Sequence, residues 1–194
     1  MSVSTAYSIS LPPWLVGELP GLPRRLESHQ EQMGLVNRLA DRNWREGNGG
    51  PFAAIVVDHA TGELVSVGVN VVLSTGISSA HAEVTALALA QQRLDAWDLG
   101  DGRDLALVVN WRPCVQCYGA TMWSGVRHLV VAGDGPELER LTGFDEGPMV
   151  PDWAEQFERR GIEVVQDVGR ADALAVYAAY GSANVTVYNA RGGS

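Results

Sequence analysis

The sequence contains no lysine, only two cysteines and no long hydrophobic run. Its 14 basic residues are all arginine, and 23 acidic residues give the 194-residue chain a formal net charge of -9. Proteins that bind the phosphate backbone of nucleic acids usually carry clustered positive charge. Here the closest clusters are the isolated pairs Arg24-Arg25 and Arg159-Arg160. We therefore expect no nucleic-acid partner.

The hydrophobic pattern also argues against a membrane protein. No apolar run approaches the roughly 18 residues of a membrane-spanning helix. Residues 1–16 do not combine a basic start with a long apolar stretch, so they do not resemble a secretion signal. We expect a cytoplasmic protein that forms a single domain over residues 1–194, with no membrane partner.

The two cysteines form one C-x-x-C pair, Cys114 and Cys117. A disulfide framework needs more cysteines than two. In a reducing compartment such a pair is more typical of a catalytic or metal-binding site.

Hydrophobic periodicity predicts helices that alternate with short strands. The run at residues 105–109 is apolar throughout, as expected for a strand covered on both faces. Ser78 or Ser79 is a candidate cap for the helix that follows. The predicted helices are residues 28–46, 80–94, 114–124, 151–160 and 170–180, and the predicted strands are 52–58, 64–70, 105–109, 128–132 and 161–166. This order predicts an α/β fold, a three-layer α-β-α sandwich around a central mixed sheet.

Both ends of the chain are predicted to differ from this core. Prolines at positions 12, 13, 20 and 23 favour an irregular N-terminal segment over about residues 1–27. At the other end, Val185, Val187 and Tyr188 alternate in a tail of about residues 182–194. This alternation favours a docked tail that covers an active site.

Three residues have the type and spacing of zinc ligands. His81 lies near the start of one predicted helix, while Cys114 and Cys117 lie three apart at the start of another. Zinc binds imidazole nitrogen and thiolate sulfur, and three protein ligands leave one position for water, as in catalytic sites. A structural site needs a fourth ligand, and His29, His59 and His128 are spare. His59 lies in a predicted turn and His128 opens a predicted strand, and neither has ligand spacing, which argues against a purely structural site.

Glu83 lies two residues after His81. This position suits proton transfer beside the metal better than metal ligation. A carboxylate there can take a proton from water and deliver protons to a ring nitrogen and a departing amine.

The H-x-E motif followed by P-C-x-x-C resembles the signature of the cytidine deaminase superfamily. The resemblance extends over about residues 30–191 and is greatest to bacterial guanine deaminases. It includes the segments Gly49-Gly50-Pro51-Phe52, Gly68-Val69-Asn70, Ala80-His81-Ala82-Glu83-Val84, Pro113-Cys114-Val115-Gln116-Cys117, Tyr118-Gly119-Ala120, Trp123-Ser124-Gly125-Val126, Gly143-Phe144-Asp145-Glu146-Gly147-Pro148 and Tyr188-Asn189-Ala190-Arg191. It implies a cytidine deaminase-like fold, one Zn²⁺ per chain and a homodimer.

The resemblance also implies a reaction and further site residues. The reaction is hydrolytic deamination of guanine or a related aminated heterocycle, a small-molecule substrate, with release of ammonia. Glu146 joins Glu83 as a catalytic carboxylate. The implied substrate-binding residues are Asn70, which contacts the base edge, Phe52 and Trp123, which pack on the ring, and Asp145 and Ala82.

Two other functions remain open at this point. One is a nucleoside or RNA-base deaminase of the same superfamily, which the acidity of the chain disfavours. The other is a non-catalytic scaffold stabilised by zinc.

The chain departs from its relatives just before the cysteines. They usually carry a small hydroxyl residue, a variable residue, glutamate and proline, whereas this chain has Asn110-Trp111-Arg112-Pro113. Arg112 either pairs with a surface carboxylate or lies at the pocket rim. We expect the second, with either weaker activity on guanine itself or a wider set of accepted aminated heterocycles than in its relatives.

Overall fold

The computed structural model describes residues 3–189 and contains a five-stranded mixed sheet. The strands lie side by side in the order β2-β1-β3-β4-β5. Strand β1 is antiparallel to β2 and to β3, whereas β3, β4 and β5 are mutually parallel. The bounds are β1 (Ala53–Asp58), β2 (Leu64–Val69), β3 (Leu105–Val109), β4 (His128–Val131) and β5 (Glu163–Val165).

Helices cover both faces of this sheet. Their bounds are α1 (Pro13–Glu18), α2 (His29–Arg45), α3 (Val72–Thr75), α4 (Ala82–Leu94), α5 (Val115–Ser124), α6 (Glu137–Thr142), α7 (Trp153–Glu158) and α8 (Arg170–Ser182). Helices α2 and α8 bury one apolar cluster against the sheet, and α4 and α7 bury another on the opposite face. The predicted three-layer α-β-α sandwich is therefore confirmed. None of the helices within residues 3–189 combines the length and apolar character of a membrane span.

The strands β1–β4 and the helices α2, α4, α5 and α8 lie within a few residues of their predicted positions. Ser28 is the N-cap residue of α2, and its Oγ accepts a hydrogen bond from Glu31 N at 3.2 Å.

The N-terminal segment and the start of α4 differ from the predictions. The prolines at 12 and 13 do not keep the segment irregular: Pro12 is the N-cap residue of α1 and Pro13 is its first residue, a position that suits proline. A 3₁₀ turn over Leu19–Gly21 follows. Helix α4 begins after His81 rather than after a serine, and the His81 side chain makes no capping hydrogen bond.

Candidate active site

Two helix N-termini place the predicted zinc ligands together. His81 is the N-cap residue of α4 and Cys114 is the N-cap residue of α5, and neither side chain caps its own helix. Helices α4 and α5 pack against each other on one face of the sheet. As a result His81 Nδ1 lies 3.5 Å from both Cys114 Sγ and Cys117 Sγ.

This donor set fits zinc. One imidazole nitrogen and two sulfurs converge with all three atoms within 4.8 Å of one another. A hydrogen bond with Cys117 lowers the pKa of the Cys114 thiol to about 4, helped by His81. Burial lowers the pKa of His81, but the adjacent Cys114 outweighs it and raises that pKa to about 9. These shifts favour the thiolate form of Cys114, which is the form that binds metal.

Two buried carboxylates lie in the same cavity as the ligand set. Glu83 and Glu146 are 6% and 8% exposed, and both line a cavity of about 520 Å³ that also includes His81 and Cys114. Burial raises the pKa of Glu83. Burial, with the charges of Cys114 and Glu83, raises the pKa of Glu146 to about 8. Neighbouring carboxylates with raised pKa values are suited to holding and moving protons.

Asn70 is buried with its orientation fixed. Its Oδ1 accepts hydrogen bonds from the Tyr188 hydroxyl at 2.6 Å, Val72 N at 3.2 Å and Gly50 N at 3.4 Å. No residue within 3–189 accepts a hydrogen bond from its Nδ2. Asn70 lines the cavity, so this NH₂ group is available to a ligand. A Cβ atom at Gly49 would collide with Asn70 Oδ1, so glycine is required there.

Aromatic residues form an apolar wall of the cavity. Phe52 lines the cavity and packs edge-to-face on Phe144, with ring centroids 5.3 Å apart. Phe144 in turn packs on Tyr188 at 4.9 Å. Such a wall suits a flat ring.

The C-terminal tail of this chain borders its own cavity. Tyr188 and Asn189 line it, and the Tyr188 hydroxyl accepts a hydrogen bond from Gly50 N at 3.2 Å. Asn189 Oδ1 accepts from Asp145 N at 3.1 Å. Sequence reasoning predicted the docking but not the contact between Tyr188 and Asn70, which spans 118 positions. Ala190 and Arg191 lie outside the described residues.

The side chains of two predicted substrate-binding residues, Trp123 and Ala82, do not line the cavity. Trp123 is 85% exposed on α5 and does not line the cavity of this chain. Its helix turns Thr121 and Ser124 inward and Trp123 outward. Ala82 has its side chain in the apolar cluster beneath α4, so only its backbone could contact a ligand. Asp145 is exposed at the cavity rim.

In the segment Asn110-Trp111-Arg112, the first two residues make buried structural contacts and the third lines the cavity. Asn110 is fully buried and joins β3 to the start of β1, because its Nδ2 donates to Pro51 O at 2.9 Å. Trp111 is 1% exposed and packs edge-to-face on Tyr177. Arg112 lines the cavity, and its Nε is buried without a hydrogen-bond partner among the described residues. Trp111 also lines the cavity, but its Nε1 donates to Gly135 O, so Arg112 is the residue of this segment that offers an unpaired polar atom to a ligand.

Comparison with known proteins identifies the family. Residues 26–133 match the cytidine and deoxycytidylate deaminase zinc-binding region, which includes His81, Glu83, Cys114 and Cys117. Among curated proteins, the chain is 30% identical to the guanine deaminase of Bacillus subtilis over 139 residues. That match covers 72% of this chain and 85% of the relative.

Solved structures agree with this match. The guanine deaminase from Nitrosomonas europaea has 40% identity and a TM-score of 0.87, with 94% of this chain and all of that chain covered. The Nitrosomonas protein NE0047 in complex with 2,6-diaminopurine has 43% identity and a TM-score of 0.86, with 96% and 98% covered. The chain therefore belongs to the cytidine and deoxycytidylate deaminase family and, within it, to the guanine deaminases, which are zinc-dependent hydrolytic deaminases.

Proposed function

We propose that this chain deaminates guanine or a closely related aminated heterocycle and releases ammonia. The observation that carries this proposal is the cavity in which Glu83 and Glu146 are buried beside the donor set His81, Cys114 and Cys117. The relatives support the substrate class, because the Nitrosomonas structures hold 2,6-diaminopurine or 8-azaguanine.

We further propose that His81, Cys114 and Cys117 hold one zinc ion per chain. When bound, zinc supplies the activation of water by lowering the pKa of that water to near 7. The donor set supports this role, because its three protein ligands match the number found in catalytic rather than structural zinc sites.

Glu83 is proposed to carry the protons of the reaction. Overall, water adds to the ring carbon that bears the amine, a ring nitrogen gains a proton, the carbon–nitrogen bond breaks and ammonia leaves. Glu83 would accept one proton from the attacking water and pass it to the ring nitrogen. It would then accept the second proton from the added hydroxyl group and pass it to the amine, which leaves as ammonia. Glu146, on the loop that follows α6, is proposed as the second proton carrier, since its raised pKa favours the protonated form.

The remaining residues are proposed to position the ring. Asn70 Nδ2 would donate to an acceptor on the base edge, and Phe52 would pack against the ring face. Asp145 and the tail residues Tyr188 and Asn189 lie where they would border the bound ring. A role for Trp123 in contacting the substrate is not supported within one chain.

The alternatives are separated by one experiment. An RNA substrate is disfavoured by the net charge of -9 and by the tail beside the cavity. A non-catalytic scaffold gives no reason to bury two carboxylates in a cavity. Ammonia release from a panel of free bases, nucleosides and RNA decides among them. The single domain, the homodimer and the cytoplasmic location stay predictions.

Zinc content should depend on the cysteines. Cys114→Ala is expected to lose tightly held zinc, because two ligands remain where three are needed. Metal analysis after gel filtration measures the zinc retained per chain. Gln116→Ala is the matched control, because Gln116 is exposed between the two cysteines and should leave one equivalent. A full equivalent in Cys114→Ala would overturn the assignment.

Glu83→Gln should fold and retain zinc, but its turnover should fall by at least about 10² to 10⁴-fold, because an amide cannot relay protons. Steady-state ammonia release, together with metal analysis, measures this. Glu158→Gln, at an exposed position on α7, should behave like the parent. Activity of Glu83→Gln within a few-fold of the parent would show that another group carries the protons.

Glu146→Gln should lower kcat more than Asp145→Asn does. Glu146 is buried in the cavity, whereas its neighbour Asp145 is exposed at the rim. The matched pair replaces a carboxyl group by an amide at neighbouring positions of the same loop. Measurement of kcat and KM on the best substrate tests this, and unchanged constants in Glu146→Gln would refute a catalytic role.

Arg112 should set selectivity among aminated rings. Its buried Nε has no partner among residues 3–189, so a ligand acceptor can satisfy it. Loss of a hydrogen bond to a charged group costs about 1.5–3 kcal/mol, or roughly 10- to 150-fold. Arg112→Gln should change the kcat/KM ratio between guanine and 2,6-diaminopurine by about 10-fold or more, whereas Arg140→Gln, at an exposed position, should not. If the ratio is unchanged and the parent prefers guanine, the arginine at position 112 has no effect on substrate selectivity.

A further inference from the structure

Three of the chain's four histidines gather at one place outside the proposed active site. The rings of His59 and His128 are stacked, with centroids 3.7 Å apart and planes 8° from parallel. The ring of His29 lies 6.1 Å from that of His59. The proposed deamination uses none of these side chains.

An aspartate completes a compact set of donor atoms with two of these histidines. His128 Nε2 lies 2.8 Å from Asp104 Oδ1. Donor atoms of His59, Asp104 and His128 all lie within 4.8 Å of one another. The backbone also joins two of the residues, because His59 N donates to Asp104 O at 2.8 Å.

We propose that His59, Asp104 and His128 form a second metal site, which takes a divalent transition-metal ion such as Zn²⁺ or Ni²⁺. Imidazole and carboxylate donors suit these ions. Donors that share one such ion at about 2.0–2.2 Å lie roughly 3–3.5 Å apart. The Asp104–His128 pair is already near that separation. His59 is exposed, so its ring is free to turn toward the ion.

The surroundings of His128 support metal binding. Its Nδ1 is buried and has no hydrogen-bond partner among the described residues, and Glu163 Oε2 lies 3.4 Å from it. Histidines that bind metals usually present their other ring nitrogen to a carboxylate, which fixes the ring and increases its basicity. Asp104 thus faces the ring nitrogen that would bind the ion, and Glu163 faces the other nitrogen of the same ring.

Strand ends hold the site in place. His59 follows the last residue of β1, Asp104 precedes the first residue of β3, and His128 is the first residue of β4. In the sheet, His128 pairs with Ala106 of β3 and with Glu163 of β5. The active-site cavity begins at the other end of β3, at Val109 and the residues that follow it. Roughly 15 Å of strand therefore separates the two sites, at about 3.3 Å per residue.

Isothermal titration of the enzyme with Ni²⁺, after it has been loaded with one equivalent of zinc, tests this proposal. The parent should bind one equivalent of Ni²⁺. His59→Gln and Asp104→Asn should each raise the Ni²⁺ dissociation constant by at least about 10-fold. The untagged protein must be used, because a histidine tag binds Ni²⁺ itself.

His29→Gln is the matched control, because this histidine lies in the same cluster but outside the ligand set. It should bind Ni²⁺ like the parent. Absence of Ni²⁺ binding in the parent, or unchanged affinity in both ligand variants, would overturn the site. Deaminase activity is measured in parallel and should be retained in all three variants, so a failure here is distinct from a failure of the proposed function.

Discussion

Helix α4 can lie close against strand β2 only because small residues meet there. At Gly68 a Cβ atom would collide with Ala82 O and Ala86 N, so the helix backbone rests directly on the strand. Ala82 and Ala86 add little bulk on the helix side. The first turn of α4 carries Glu83 and follows His81. This contact therefore sets how far both side chains lie from the sheet, from α5 and from the cavity.

The charge balance of the cavity follows from that geometry. Glu83, Glu146 and the two cysteines are all buried, and all four can be anionic. Burying unpaired negative charge is costly. The cations at hand are His81 and Arg112, both of which oppose the rise in the pKa of Glu146 that burial causes. A dication held by His81, Cys114 and Cys117 would offset the charge more fully. The burial that raises the pKa values of the two carboxylates therefore also favours a metal ion at the site.

Sequence alone predicted the parts of the site that short-range spacing encodes. His81 and Glu83 share one helix start, and Cys114 and Cys117 share another, so their types and spacing indicated a metal centre. The α/β sandwich followed from the alternation of apolar runs. Trp123 shows the limit of motif matching, because its position relative to the cavity depends on which face of α5 is buried. Sequence reasoning placed Arg112 at the pocket, and the structure agrees. The structural role of Asn110 was not predicted, because it depends on a contact with Pro51, 59 positions away.

The two ends of the parallel strands illustrate why some constellations escape sequence reasoning. At one end, β3 leads into Cys114 and a helix, so consecutive residues carry the chemistry and a motif is visible. At the other end, His59, Asp104 and His128 meet only because β1, β3 and β4 lie side by side in register. Their separations of tens of residues have no ligand spacing, which is why these histidines appear unrelated in the sequence. A set of donors built by strand register can be recognised only once the order of the strands in the sheet is known.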